Sequence, residues 1–141
     1  MSPEEIKIEV KGSMDFDRLV ERLSKIRPRF FFLTENVWSP SIDVYRIGSD
    51  VVVKVEIAGV SKDEVSVKLH GRVLTIEGAR WDPDYESRQN FFQMEIEYGR
   101  FYRELEFPFD VDGDGAEAVY DSGFLLIRFP LKNTDVKKIE F

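Results

Sequence analysis

From Ile42 onward, apolar and polar side chains change places at nearly every step. That period of two is useless to a helix and is what a half-buried strand requires. Ile42-Asp43-Val44-Tyr45 alternates. Val51-Val52-Val53-Lys54-Val55-Glu56-Ile57 is β-branched and then alternates, and Val65, Val67 and Leu69 alternate with Ser66, Lys68 and His70. Gly48-Ser49-Asp50, Gly59 and Gly71-Arg72 punctuate these runs, and Val73-Leu74-Thr75-Ile76-Glu77 returns after the last of them as the second arm of a hairpin. Residues 79–90 are polar, with Pro83 among them, and read as a loop; 91–97 can form a strand. Phe101, Arg103, Leu105 and Phe107 share one face of a strand closed by Pro108. The pattern then predicts a short strand over 116–120, a turn at Asp121-Ser122-Gly123 and a last strand over 124–129 ended by Pro130. Short strands separated by turns every roughly eight to twelve residues predict an all-β sandwich or barrel. No strand–helix–strand alternation supports a parallel α/β fold.

The first forty residues follow other rules. Ile6, Ile8 and Val10 alternate with Lys7 and Glu9 as a strand would. Phe16, Leu19, Val20, Leu23 and Ile26 then fall on one stripe of a helix over about 15–27, with Asp15 and Asp17 at its start and Pro28 as its stop. Arg29-Phe30-Phe31-Phe32-Leu33 is a dense aromatic patch without period, either tucked against the domain or a sticky surface for assembly or protein binding. The chain of 141 residues is of a size for one domain with tails. Its 12 phenylalanines, against 2 Trp and 5 Tyr, point to apolar contact more than to chemistry.

Most catalytic classes lack their residues. With no cysteine, disulfides, thiolate metal sites and cysteine nucleophiles are excluded, and the single histidine, His70, rules out a multi-histidine metal site. His70 sits on the polar side of its strand beside the Gly71 turn and reads as a surface residue. No Gly-Lys dipeptide exists, so there is no phosphate-binding loop and no motif for ATP. Asp110-x-Asp112-x-Asp114-Gly115 imitates the first half of a calcium loop, but position 8 is Glu117, position 12 is the short Asp121, and helices do not flank it; an acidic inter-strand loop is the better reading. The basic residues Arg18, Arg22, Lys25, Arg27 and Arg29 are interleaved with Asp15, Asp17 and Glu21, as on a solvated helix face. A net charge of −7 argues against a general nucleic-acid binder. No apolar run approaches about 18 residues, so no membrane span is expected. The charged start MSPEEIKIEV does not read as a secretory leader, and a cytoplasmic location is expected. No cofactor and no catalytic residue are expected.

The order of the pieces is specific. Trp38-Ser-Pro40-x-Ile42-Asp43-Val44-Tyr45 is followed by Val55-Glu-Ile-Ala-Gly59-Val60, Lys62-Asp63-Glu64-Val65-x-Val67 and Leu74-x-Ile76-x-Gly78. Gly99-x-Phe101-x-Arg103, Phe107-Pro108-x-x-Val111-Asp112 and Ala118-x-x-x-x-Gly123-x-Leu125 then lead to Pro130. This resembles the α-crystallin domain of the small heat shock proteins over residues 38–131. It departs in having Ala58 where that family usually has Pro before the glycine, and Leu131 ahead of Lys132 after the final Pro.

The resemblance implies an immunoglobulin-like antiparallel β-sandwich over 38–131, an N-terminal arm over 1–37 and a C-terminal tail over 132–141. It implies an ATP-independent holdase that binds partly unfolded client proteins through apolar surface; client contact and assembly would fall to Phe16, Leu19, Leu23, Phe30, Phe31 and Phe32. It also implies a homodimer made by strand exchange, alone or within a larger assembly, in which Phe91, Phe92 and Met94 add to the partner's edge near Ile42 and Val44 and Arg103 makes polar contacts. A tail-docking groove would lie at Val65, Val67, Leu69, Leu125 and Ile127. Candidates to fill it are Ile6 and Ile8, which match the family's Ile-x-Ile tail motif, and the imperfect Ile139-Glu140-Phe141. The alternative for 6–10 is an added edge strand or a disordered segment. The alternative function is a protein-binding adaptor, because the co-chaperone CS domain has a similar sandwich; that fold lacks the long loop and the Gly-x-Leu motif found here.

Overall fold

The fold grows from the β-branched run after Ser49. Val51, Val53, Val55 and Ile57 point to one side of their strand and are fully buried. The computed structural model describes residues 3–11 and 38–132. Among the described residues nine strands are formed: β1 (Glu4–Ile6), β2 (Ile8–Lys11), β3 (Ile42–Ile47), β4 (Asp50–Glu56), β5 (Ser66–His70), β6 (Val73–Arg80), β7 (Gly99–Glu106), β8 (Glu117–Asp121) and β9 (Phe124–Pro130). They make two sheets, ordered β1-β8-β9-β4-β3 and β2-β5-β6-β7. Two sheets with one buried face each must stack those faces, and the result is a sandwich.

Register explains the core. On β9, Leu125, Ile127 and Phe129 stand opposite Val55, Val53 and Val51, and all six are fully buried. Leu74 and Ile76 on β6 close over them from the second sheet. Phe107 stacks on Phe109 at 5.6 Å and meets Phe129 edge-on at 5.7 Å, so the aromatic excess outside the arm is partly spent on the interior. The glycine of Leu74-x-Ile76-x-Gly78 is a packing requirement: a Cβ there would lie 2.7 Å from the Phe101 ring and 2.6 Å from the Glu64 carbonyl oxygen.

Several expectations change. The alternating run Ile6–Val10 is two strands, not one. β1 runs antiparallel to β8 and β2 runs parallel to β5, with Lys7 between them, so each sheet receives half of the run. β6 extends through Ala79 and Arg80, where a loop was expected, because both pair with β7. Residues 91–97 form no strand: a strand needs a ladder partner, and no described strand runs beside them. His70 is not on the surface but 5 % exposed. β2 flanks β5 on its outer side, with Lys11 opposite His70, and the neighbouring Val73 and Thr75 on the same face are themselves buried. The expected helix over 15–27, the aromatic patch at 30–33 and the tail residues Ile139 and Phe141 lie outside the described residues.

Candidate functional site

The two ends of the first sheet differ, and both belong to the candidate site. At one end stands β3, which pairs with β4 on its inner side and with no described strand on its outer side. Ile42 on it is half-buried, whereas Val44 is 42 % exposed. The connection between β6 and β7 carries Phe91, Phe92, Met94 and Ile96 at 48, 101, 67 and 66 % exposure, and its residues 95–97 line a surface pocket with residues 38–41, just ahead of β3. Four large apolar side chains so close in sequence and so open to water are far from the scattered exposed residues that any surface tolerates.

This connection is held, not loose, by two arginines. The Arg80 guanidinium donates through Nη1 to the Ala58 carbonyl at 2.9 Å and through Nε and Nη2 to the Glu97 carbonyl at 3.0 and 2.6 Å. It also lies 3.9 Å from the centre of the Trp38 ring and 5.8 Å from that of Tyr98. Trp38 is fixed in turn: its indole nitrogen donates to the Gly99 carbonyl at 2.9 Å, and its ring meets Phe101 edge-on at 5.2 Å. Arg88 pairs with Asp82 and sits over Phe91 at 4.9 Å. Arg103 Nη1 donates to the Pro40 carbonyl at 2.6 Å, just ahead of β3. Ile96, Arg80 and Tyr98 were missed in the sequence. The only signal was their closeness to the apolar stretch, because which carbonyls Arg80 can reach depends on the approach of Ala58 and Glu97 in space.

At the other end lies a groove between the outer strands of the two sheets, β8 and β5, and residues 3–11 occupy it. Ile6 stands opposite Ala118 of β8; Ile8 and Val10 stand opposite Val67 and Leu69 of β5. Ile6 is 7 % exposed and part of the core cluster, with Ile8 packed against it. Of the expected groove residues, Val67 and Leu69 lie here, with Val65 partly buried just ahead of β5. Leu125 and Ile127 do not line the edge: they are on β9, one strand further in, fully buried. Ala118 and Tyr120 on β8 take their place. The Tyr120 hydroxyl donates to the Ile57 carbonyl at 3.0 Å, and burial raises its pKa above the ordinary phenol value.

The acidic loop between β7 and β8 is braced locally. Asp112 accepts from the Asp114 amide at 3.0 Å, and Arg72 donates to Asp110 at 2.9 Å. Among the described residues no group of three or more His, Asp or Glu is placed to hold a metal ion. No helix among them is long and apolar enough to cross a membrane.

Comparison with known proteins gives this arrangement a family. Residues 43–140 match the Hsp20/alpha crystallin family. Small heat shock protein C2 of Rickettsia felis is 28 % identical over 108 residues, which cover 76 % of this chain and 70 % of that one. The structure of heat shock protein 16.0 from Schizosaccharomyces pombe superimposes with a TM-score of 0.67 at 31 % identity, covering 74 % of this chain and 96 % of that one. A small heat-shock protein from Xylella fastidiosa, whose crystal structure reveals a distinct high order structure, superimposes with a TM-score of 0.62 at 26 % identity over 74 % of this chain and 96 % of that one. The sandwich, its long β6–β7 connection and the matched sequence together make this chain a member of the Hsp20/alpha crystallin family of small heat shock proteins.

Proposed function

We propose that the protein is an ATP-independent holdase of the cytoplasm that captures partly unfolded proteins on apolar surface and keeps them from aggregating. The supporting observation is that one chain carries both an exposed apolar row, Phe91, Phe92, Met94 and Ile96, and a sheet edge at β3 with no described strand on its outer side. Surface of that kind is costly to leave in water and is retained where something covers it. In this reading the row of one copy adds to Ile42 and Val44 of a second copy, which builds a homodimer and removes the edge as an aggregation hazard. Arg103, bonded to Pro40, steadies the start of that edge. Client contact falls to the arm, through Phe16, Leu19, Leu23 and Phe30 to Phe32. Holding needs burial and no bond-making, so the reading calls for no catalytic residue and no cofactor.

The test is a heated model client without ATP, followed by light scattering. Suppression of aggregation at equimolar to several-fold excess of the protein is the expected result. Aggregation that proceeds unchanged at that excess, before and after preheating the protein, contradicts the reading.

A further inference from the structure

The second sheet has a buried outer face. Leu69, Leu74 and Ile76 point into the sandwich, so by alternation His70, Val73 and Thr75 point out of it. Yet these three are only 5, 2 and 8 % exposed. No described strand or helix is stacked on that side. Side chains on a solvated sheet face keep part of their surface in water, and three adjacent ones that do not are lying beneath something.

The chain between Lys11 and Trp38 starts and stops at opposite corners of this sheet, whose order is β2-β5-β6-β7. β2, at one edge, ends at Lys11 opposite His70, and His70 is in register with Val73, the first residue of β6. Trp38 comes back at the other edge and the other end. Its backbone nitrogen donates to the Arg100 carbonyl at 3.2 Å and its indole nitrogen to the Gly99 carbonyl at 2.9 Å; Gly99 is in register with Arg80, the last residue of β6. Three strand spacings make about 14 Å across and the length of β6 about 24 Å along, a diagonal of about 28 Å. The inner face is filled by the other sheet, so the direct course from corner to corner runs over the outer face. The helix expected over about 15–27 would be about 20 Å long and would cover most of that diagonal.

We propose that the outer face of β5, β6 and β7 is the docking site of this chain's own segment 15–27, laid across it as a helix. The stripe of Phe16, Leu19, Val20, Leu23 and Ile26 covers Val73 and Thr75. The basic flank of Arg18, Arg22 and Lys25 meets Glu104 and Glu106, which stand in register with Thr75 and Val73 on the same side of the sheet. A helix of this length does not hold in water by itself, so the packing is what makes it a helix. The inference does not rest on the holdase reading, but it bears on it: while docked, Leu19 and Leu23 are withheld from clients, whereas Phe30 to Phe32, beyond Pro28, are not.

The chain has no cysteine, so single introduced thiols report without background. One full-length variant carries T75C. Its control carries L126C, on the outer face of the first sheet between Lys54 and Val119. Iodoacetamide should label position 75 slowly, and at least tenfold faster once L19D and L23D are added, with labelling at position 126 unchanged by them. In a second pair of variants, L23C is combined with T75C or with L126C and treated with a short bis-maleimide. Linking to position 75 should be at least tenfold the faster and should fall within one chain. Labelling of position 75 that ignores L19D and L23D overturns the site, as does linking that is no faster to position 75 than to position 126. Links that join two chains, seen as doubled mass under denaturing conditions, overturn the assignment to the chain's own segment, because the helix then comes from a second copy. If circular dichroism shows that the L19D and L23D chain does not fold, the linking comparison decides. Failure of the wild-type chain to suppress client aggregation refutes the holdase reading and leaves both of these measurements standing.

Discussion

The two outer edges of the sandwich are finished in opposite ways. At β8 and β5 the chain covers its own edges with β1 and β2 and seats Ile6 in the core cluster. At β3 it leaves the outer side without a described strand, and on the connection between β6 and β7 it holds Phe91, Phe92, Met94 and Ile96 in water. An open edge is a hazard in any soluble protein, and the ordinary remedies are cover, charge or closure. This chain applies cover at one end, with charged residues on the covering strand. At the other end it prepares apolar surface on a connection pinned by Arg80. The difference teaches that exposure at the second end is built: three hydrogen bonds and a stacked guanidinium are spent on holding those side chains where they are.

The comparison breaks most visibly if the apolar row is removed. Replacing Phe91, Phe92, Met94 and Ile96 together by Ser should weaken the dimer at least hundredfold. Each side chain buried by a partner is worth roughly 1.5–3 kcal/mol, and a hundredfold needs less than half of the sum. Mass by light scattering over a dilution series reads it. Denaturant unfolding of the single chain should shift little, because these side chains are exposed within it.

The opposite asymmetry holds for a methyl-scale change at each edge. Ile6→Ala should cost about 2–4 kcal/mol in urea unfolding, since Ile6 is buried in the core cluster. Val44→Ala, at an exposed position of β3, should cost about 0.5 kcal/mol or less under conditions where the chain is monomeric. Similar costs at both positions would mean that the edges are not finished differently.

A more local effect is expected at Arg80. Arg80→Met keeps some of the bulk over Trp38 but deletes the bonds to Ala58 and Glu97, and should cost about 1–3 kcal/mol. Limited proteolysis within 82–97 should quicken several-fold, while cleavage near residues 3–11 should not change. Equal quickening at both ends would show that Arg80 supports the whole sandwich and not its open edge.

Much of this layout was legible in the alternation of side chains. The period of two placed β3, β4, β5, β7 and β9 because it depends only on which face is buried, and Val53 or Leu74 must choose a face wherever its strand lies. The same signal was blind to partners. Ile6, Ile8 and Val10 alternate identically whether they join one sheet or two, and only the close approach of β8 to β5 splits them at Lys7. It was blind again at 91–97, where apolar composition suits a strand but no described strand is near enough to pair. His70 looked exposed because it stands on the polar side of its strand beside a turn, yet that face is covered, with Val73 and Thr75 buried next to it. The role of Arg80 was not legible at all, since carbonyls far apart in the chain have no sequence signature.

The claim that one edge is closed by the chain itself and the other by a second copy can be read in a single sample. Amide hydrogen exchange should be followed at high protein concentration and again after dilution below the dimer dissociation constant. Slow exchange in β5 and β8 should be the same in both, because residues 3–11 cover them within one chain. Protection in 42–47 and 91–94 should be present when the protein is concentrated and lost on dilution. Protection of β5 and β8 that falls on dilution, or exchange in 42–47 that does not respond to concentration, would contradict the account.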